Sequence, residues 1–183
     1  MLVFVTCVKH PENSQDYQKV WQMLNNSLFS ICSQQDTDFR SIVVCDKQLP
    51  LLHHQELINR YTEFVEVDFP SHSEEVIAHF NSLGNLSPPL DDSTWWIRWK
   101  GQKDFMAANA SEYFHIANVV LNMGTKLIIG ILAAKKYDPD YVIFADADDY
   151  IGRDISAYVN SHPEENGWIM AHGYKMSGNR LAP

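Results

Sequence analysis

Residues 141–150 read Tyr-Val-Ile-Phe-Ala-Asp-Ala-Asp-Asp-Tyr, an apolar, β-rich run that passes directly into a cluster of carboxylates. The apolar half predicts a buried strand of an α/β sheet. The acidic half then lies at the carboxyl end of that strand, where open α/β sheets bind ligands. Carboxylates this close repel one another unless a cation, hydrogen-bond donors or water compensate. Oxygen-only donors suit a hard divalent ion such as Mg²⁺ or Mn²⁺. On an extended chain Asp146 and Asp148 share a face while Asp149 points away, so the first two are the candidate metal ligands. A solvated acidic turn is the competing reading of the same residues.

The rest of the chain supplies a sheet for that strand to join. Residues 2–8 are a continuous apolar run that predicts the first strand, closed by Pro11, which cannot continue a central strand. Ser14 is the expected cap of a helix on which Tyr17, Val20, Trp21, Leu24, Leu28, Ile31 and Cys32 fall at helical spacing. Residues 39–45 predict a second strand, which stops at Asp46. Strand, helix and strand at this spacing predict a βαβ unit, with Asp46 at the same sheet edge as the loop after Val8. A carboxylate there can accept hydrogen bonds from a ribose or a base, or can simply cap a turn. A helix over 51–61 and a strand over 64–69, broken by Pro70, complete a half-sheet of the nucleotide-binding kind.

Residues 70–123 read as a long insertion, with Trp95, Trp96 and Trp99 beside Arg98, Lys100 and Lys103, and with helical spacing from Glu112 to Met123. The aromatic cluster can stack on sugars or pack a loop onto the core. Gly124-Thr125 predicts a break, followed by a new helix to about Lys136 whose buried stripe is Leu127, Ile128, Ile131 and Leu132. Lys126 would then sit in a first turn, where a cation is unfavourable unless an anion is bound there too. After the acidic cluster, Asp154 is the expected cap of a short helix carrying Ile155, Tyr158 and Val159. A strand over 167–171 leads to His172, and the tail shows no pattern.

Composition narrows the classes. A chain of 183 residues accommodates one domain, taken as 1–183, and buries roughly 70% of its unfolded surface. A formal charge of −9 argues against a nucleic-acid partner. Cys7, Cys32 and Cys45 lack metal-ligand spacing and read as small buried residues of a reducing compartment. The first apolar run is too short and lacks the basic leader of a signal peptide, and no run of about 18 apolar residues spans a membrane. A cytoplasmic location is the expectation.

Residues 126–136 together with 140–151 resemble the nucleotide-diphospho-sugar transferases of the GT-A fold, whose hallmark is a helix leading into a strand that ends in Asp-x-Asp. The strand ending near Thr6 and the strand ending at Asp46 also fit the nucleotide half of that family. The resemblance implies an α/β, Rossmann-like, mostly parallel sheet flanked by helices, and a metal-dependent glycosyltransferase. It implies that Asp148 ligates Mn²⁺ or Mg²⁺ held by the donor diphosphate. Asp146 would contact the ribose or complete the metal shell, Asp46 would read base or ribose, Thr6 would flank the nucleotide, and Lys126 would reach the diphosphate. By the same resemblance the donor is a nucleotide sugar, UDP-linked by default, and the acceptor is unknown.

Three features depart from that pattern. Only 34 residues follow Asp149, where family members carry an acceptor-binding half. The chain therefore resembles a truncated or compact member, whose acceptor site or lid would come from 70–123. His172 is the candidate for a later metal-site histidine. Lys47, not a second acid, follows Asp46. Two other functions stay open: a nucleotide-sugar-binding module without its own transferase activity, and a metal-dependent phosphatase, whose acidic strand would normally come early in the chain.

Overall fold

The computed structural model describes residues 1–68, 110–168, 174–177 and 180–182. Four strands build an all-parallel sheet: β1 (Leu2–Cys7), β2 (Phe39–Cys45), β3 (Thr62–Glu66) and β4 (Tyr141–Asp146), in the order β3-β2-β1-β4. Among the described residues four α-helices accompany them: α1 (Tyr17–Cys32), α2 (Gln55–Tyr61), α3 (Ala110–Ala134) and α4 (Ile155–Asn160). This is the α/β, Rossmann-like arrangement expected. Because every strand runs the same way, the carboxyl ends of β1, β2 and β4 share one edge. Among the described residues no helix is long and apolar enough to cross a membrane.

β1 is buried on both faces, as its unbroken apolar run requires. Leu2, Phe4 and Val8 join Phe39, Val43 and Cys45 beneath Trp21, Leu24, Leu28 and Ile31 of α1. Val3, Val5, Ile42 and Val44 form the opposite face, with Ala134 of α3. The three cysteines are free and buried. β4 is less covered than its sequence suggests: it is the outer strand of the described sheet, and Phe144 stands exposed.

The local boundaries follow from caps. Asp16, not Ser14, caps α1, accepting a hydrogen bond from Lys19 N–H. α2 begins at Gln55 rather than near 51, because the Asn25 side chain on α1 accepts from the N–H groups of Leu52 and His53 and holds that stretch as a turn. His54 ends the turn in the left-handed region at φ 56°. β3 starts directly after α2, earlier than its apolar pattern implied.

α3 brings the largest correction. Gly124 and Thr125 do not break it; the helix runs unbroken for 25 residues. One glycine in a helix interior costs only about 1 kcal/mol, less than packing along the helix returns. Its buried face also differs from expectation. Ile128, Ile131 and Leu132 are exposed, and of the expected stripe Leu127 packs against the core. The residues turned to the sheet are Lys126, Gly130 and Ala134, spaced four apart. Gly130 explains the choice: a Cβ there would lie 2.3 Å from Val5 Cγ1, so only glycine permits this approach.

The tail carries pattern after all, as an antiparallel pair of β5 (Lys175–Ser177) and β6 (Arg180–Ala182). Gly167 and Trp168 are not in a strand, and Trp168 packs edge-on against Tyr141. The rest of the strand expected over 167–171, His172, the end of the strand expected to reach 69, and the tryptophan cluster at 95–99 lie outside the described residues.

Candidate functional site

The carboxyl edge of the sheet brings together groups that lie far apart in the chain. Asp46 follows β2 and its side chain is only 6% exposed. Lys126 of α3 is fully buried. Its ammonium donates one hydrogen bond to the Val8 carbonyl, at 2.7 Å, and another to the Asp46 carboxylate. Lys126 therefore sits not at a helix N-terminus but inside a continuous helix, and the argument for an anion at that helix start falls away. Its charge is balanced by Asp46 instead. A buried ion pair needs such extra hydrogen bonding, because desolvation of each partner opposes it.

β4 lies on the other side of β1, with Asp146 in register with Cys7. Asp46 and Asp146 thus flank the end of β1, two strand spacings or about 10 Å apart. The Cys7 thiol senses both flanks. Burial pushes it up to about 12, Lys126 opposes that rise, and Asp146 adds to it. A thiol held neutral in this way is no nucleophile.

The acidic cluster is a turn, not an extended segment. β4 ends at Asp146, and Asp149 N–H closes back on the Asp146 carbonyl at 3.1 Å. The expectation that Asp149 points away fails for the same reason. Its carboxylate folds back to accept from Asp146 N–H at 3.3 Å. Asp146, Asp148 and Asp149 all remain exposed. The partial desolvation of Asp146 at the sheet edge, with the nearby Asp149 and Asp148 charges, holds its carboxyl above the ordinary range.

The end of α1 and the residues just after it fix the segment that follows this turn. Ser30 Oγ accepts from Ile151 N–H, and Gln35 N–H donates to the Arg153 carbonyl at 2.7 Å. Gln34 binds twice: its amide nitrogen donates to the Gly152 carbonyl, and its amide oxygen accepts from Ser156 N–H, both at 2.9 Å. The acidic turn is thereby tied at both ends, by β4 and by α1. Sequence reading missed these residues, having taken α1 only for its apolar stripe. The available signal was Asn25 and Ser27 lying among the buried positions of that stripe.

Among the described residues no group of three or more His, Cys, Asp or Glu side chains is arranged to hold a metal. Asp146 and Asp148 suit a hard divalent ion by donor type, and the mutual repulsion at Asp146 is what a cation would relieve. Two carboxylates with phosphate oxygens and water is a common magnesium arrangement, whereas a complete protein cage is not formed here. Thr6 is placed apart from these groups. It is fully buried, on the β1 face shared with Leu2, Phe4 and Val8, and its hydroxyl has no hydrogen-bond partner.

Compared with known proteins, the chain matches no family model, no curated protein and no solved structure.

Two outcomes follow from this geometry. Lys126→Met leaves Asp46 buried without its counter-charge, and urea unfolding should show a loss of about 3–5 kcal/mol. Adding Asp46→Asn should recover part of that loss; a single variant as stable as the wild type would mean that the pair is not buried. Asp146→Asn should raise the melting temperature of the metal-free protein at pH 7. The folded state raises this carboxyl above its ordinary 3.8, so ionising it opposes folding. The penalty grows as pH rises from the unfolded value through the folded one, and the advantage of the variant should disappear below about pH 3.8. An advantage independent of pH would contradict the electrostatic cause.

Proposed function

We propose that this chain binds a nucleotide-diphosphate sugar with a divalent cation at the carboxyl edge of the sheet and transfers the sugar to an acceptor. The observation that carries the reading is the placement of Asp46 and the acidic turn on either side of the end of β1, with Lys126 buried against Asp46. That edge is where ligands bind in open parallel sheets. The resemblance of residues 126–136 and 140–151 to GT-A transferases points the same way, and fold-level likeness alone would not.

In this reading Asp46 receives the nucleoside, and Lys126 acts through Asp46 rather than on phosphate, because both of its strong contacts lie within the protein. Asp148 and Asp146 would hold Mn²⁺ or Mg²⁺ by their carboxylate oxygens. When bound, the cation supplies Lewis-acid neutralisation of the charge that grows on the departing diphosphate, worth several kcal/mol of barrier. The α1 hydrogen bonds at 151–156 keep the acidic turn in place, which limits the ordering that binding must accomplish.

Calorimetric titration with UDP and GDP, with and without Mn²⁺, tests the reading. One nucleotide should bind in a Mn²⁺-dependent manner, and Asp148→Ala should weaken it at least tenfold. Binding accompanied by slow sugar release from the matching nucleotide sugar supports a transferase. Binding with no turnover on water or simple sugar acceptors would favour a donor-binding module. Failure of both nucleotides to bind would leave the acidic cluster a solvated turn.

A further inference from the structure

The Lys126 contact occupies one oxygen of Asp46, and the other is unaccounted for. Asp46 Oδ1 is buried and has no hydrogen-bond partner. Among the described residues His10 faces it, with Nε2 3.9 Å away. His10 lies just beyond β1, with its side chain 12% exposed. A distance of 3.9 Å is too long for a hydrogen bond.

The other ring nitrogen fixes what His10 can offer. His10 Nδ1 accepts a hydrogen bond from Glu12 N–H at 3.2 Å. A backbone N–H can only donate, so Nδ1 carries no hydrogen, and the neutral ring has its hydrogen on Nε2. The edge therefore presents one donor, His10 Nε2–H, beside one acceptor, Asp46 Oδ1. Neither satisfies the other at this separation, and Asp46 Oδ1 is left as an unpaired buried acceptor, a costly condition.

We propose that His10 and Asp46 together read a paired donor and acceptor on the bound nucleotide, with His10 as a specificity-determining residue. The inference rests on the nucleotide-binding reading above and goes beyond it by assigning His10. A group that satisfies both must donate to Asp46 Oδ1 and accept from His10 Nε2. Two parts of a nucleotide have that chemistry. A ribose hydroxyl does so through one atom: an oxygen about 2.8 Å from each partner spans the gap with an angle near 90°. The imide edge of uracil does so through adjacent N–H and C=O groups. Cytosine has no N3–H: its O2 and N3 both accept, and its N3 and amino group present acceptor and donor in the order opposite to uracil, so the same placement leaves Asp46 Oδ1 unsatisfied.

The test is a binding cycle in Mn²⁺ on the full chain. Wild type, His10→Ala and His10→Gln are titrated with UDP, 2′-deoxy-UDP, 3′-deoxy-UDP and CDP. His10→Ala should weaken UDP about tenfold, yet leave unchanged the affinity for whichever analogue lacks the group that His10 reads. A deoxy analogue insensitive to the substitution identifies the ribose hydroxyl, and insensitivity of CDP alone identifies the imide edge. His10→Gln retains a donor and should restore most of the UDP affinity. Loss of the same factor for all four ligands, or no loss for any, overturns the role of His10 while leaving nucleotide binding intact. Absence of nucleotide binding by the wild type overturns the nucleotide reading and this inference with it. Matching melting temperatures for the three proteins confirm that binding, not folding, is being compared.

Discussion

The buried pairing of Lys126 with Asp46 and the Val8 carbonyl constrains most of what surrounds it. An ammonium fully removed from water needs its hydrogen bonds completed within the protein. Here they come from the ends of β1 and β2, so α3 must cross the sheet at one height and in one rotation. That rotation turns Gly130 onto Val5 and Val44 and sends Ile128 and Leu132 outward. The helix is thus docked by a buried charge and a close-packed glycine, with Leu127 and Ile129 packing beside them. The pair also fixes the position of the Asp46 side chain at the sheet edge.

Across β1 the logic is reversed. The acidic turn after β4 gathers like charges at an exposed edge, and partial desolvation, together with the Asp149 and Asp148 charges, raises the Asp146 carboxyl. Such a turn would open readily if held only by its own chain. Ser30, Gln34 and Gln35 supply the restraint, reaching from the end of α1 to the backbone at 151–156. The turn is held in place while its carboxylates repel one another, the condition that the proposed cation would relieve. On one flank Lys126 pairs with Asp46 Oδ2, and on the other the exposed carboxylates of the turn have no such buried counter-charge.

The sequence made the strands legible because burial on both faces demands unbroken apolar runs, as in Leu2–Cys7 and Phe39–Cys45. α1 was legible from its spacing, and Asp46 and Asp146 from their positions after strands. The partner of Lys126 was not legible, since it depends on how α3 lies across the sheet, a tertiary choice without local signature. Gly124 misled because glycine as a helix stop and glycine within a packed helix look alike in one dimension. The alternation argument for Asp146, Asp148 and Asp149 failed because it assumes that the strand continues, and the backbone turns at Asp146. The polar residues Asn25, Ser30 and Gln34 were overlooked because their partners are backbone groups of other loops, which no pattern of side-chain types encodes.

The central claim is that the two flanks of the β1 end serve one ligand, a nucleotide whose diphosphate carries a cation to the acidic turn. Crystals grown with Mn²⁺ and UDP, measured at a wavelength where manganese scatters anomalously, test it directly. The account predicts an anomalous peak about 2.1–2.3 Å from an Asp148 carboxylate oxygen, bridged to the diphosphate, with the nucleoside directed toward Asp46. A nucleotide bound away from this edge, or a manganese peak that avoids both Asp146 and Asp148, would contradict it.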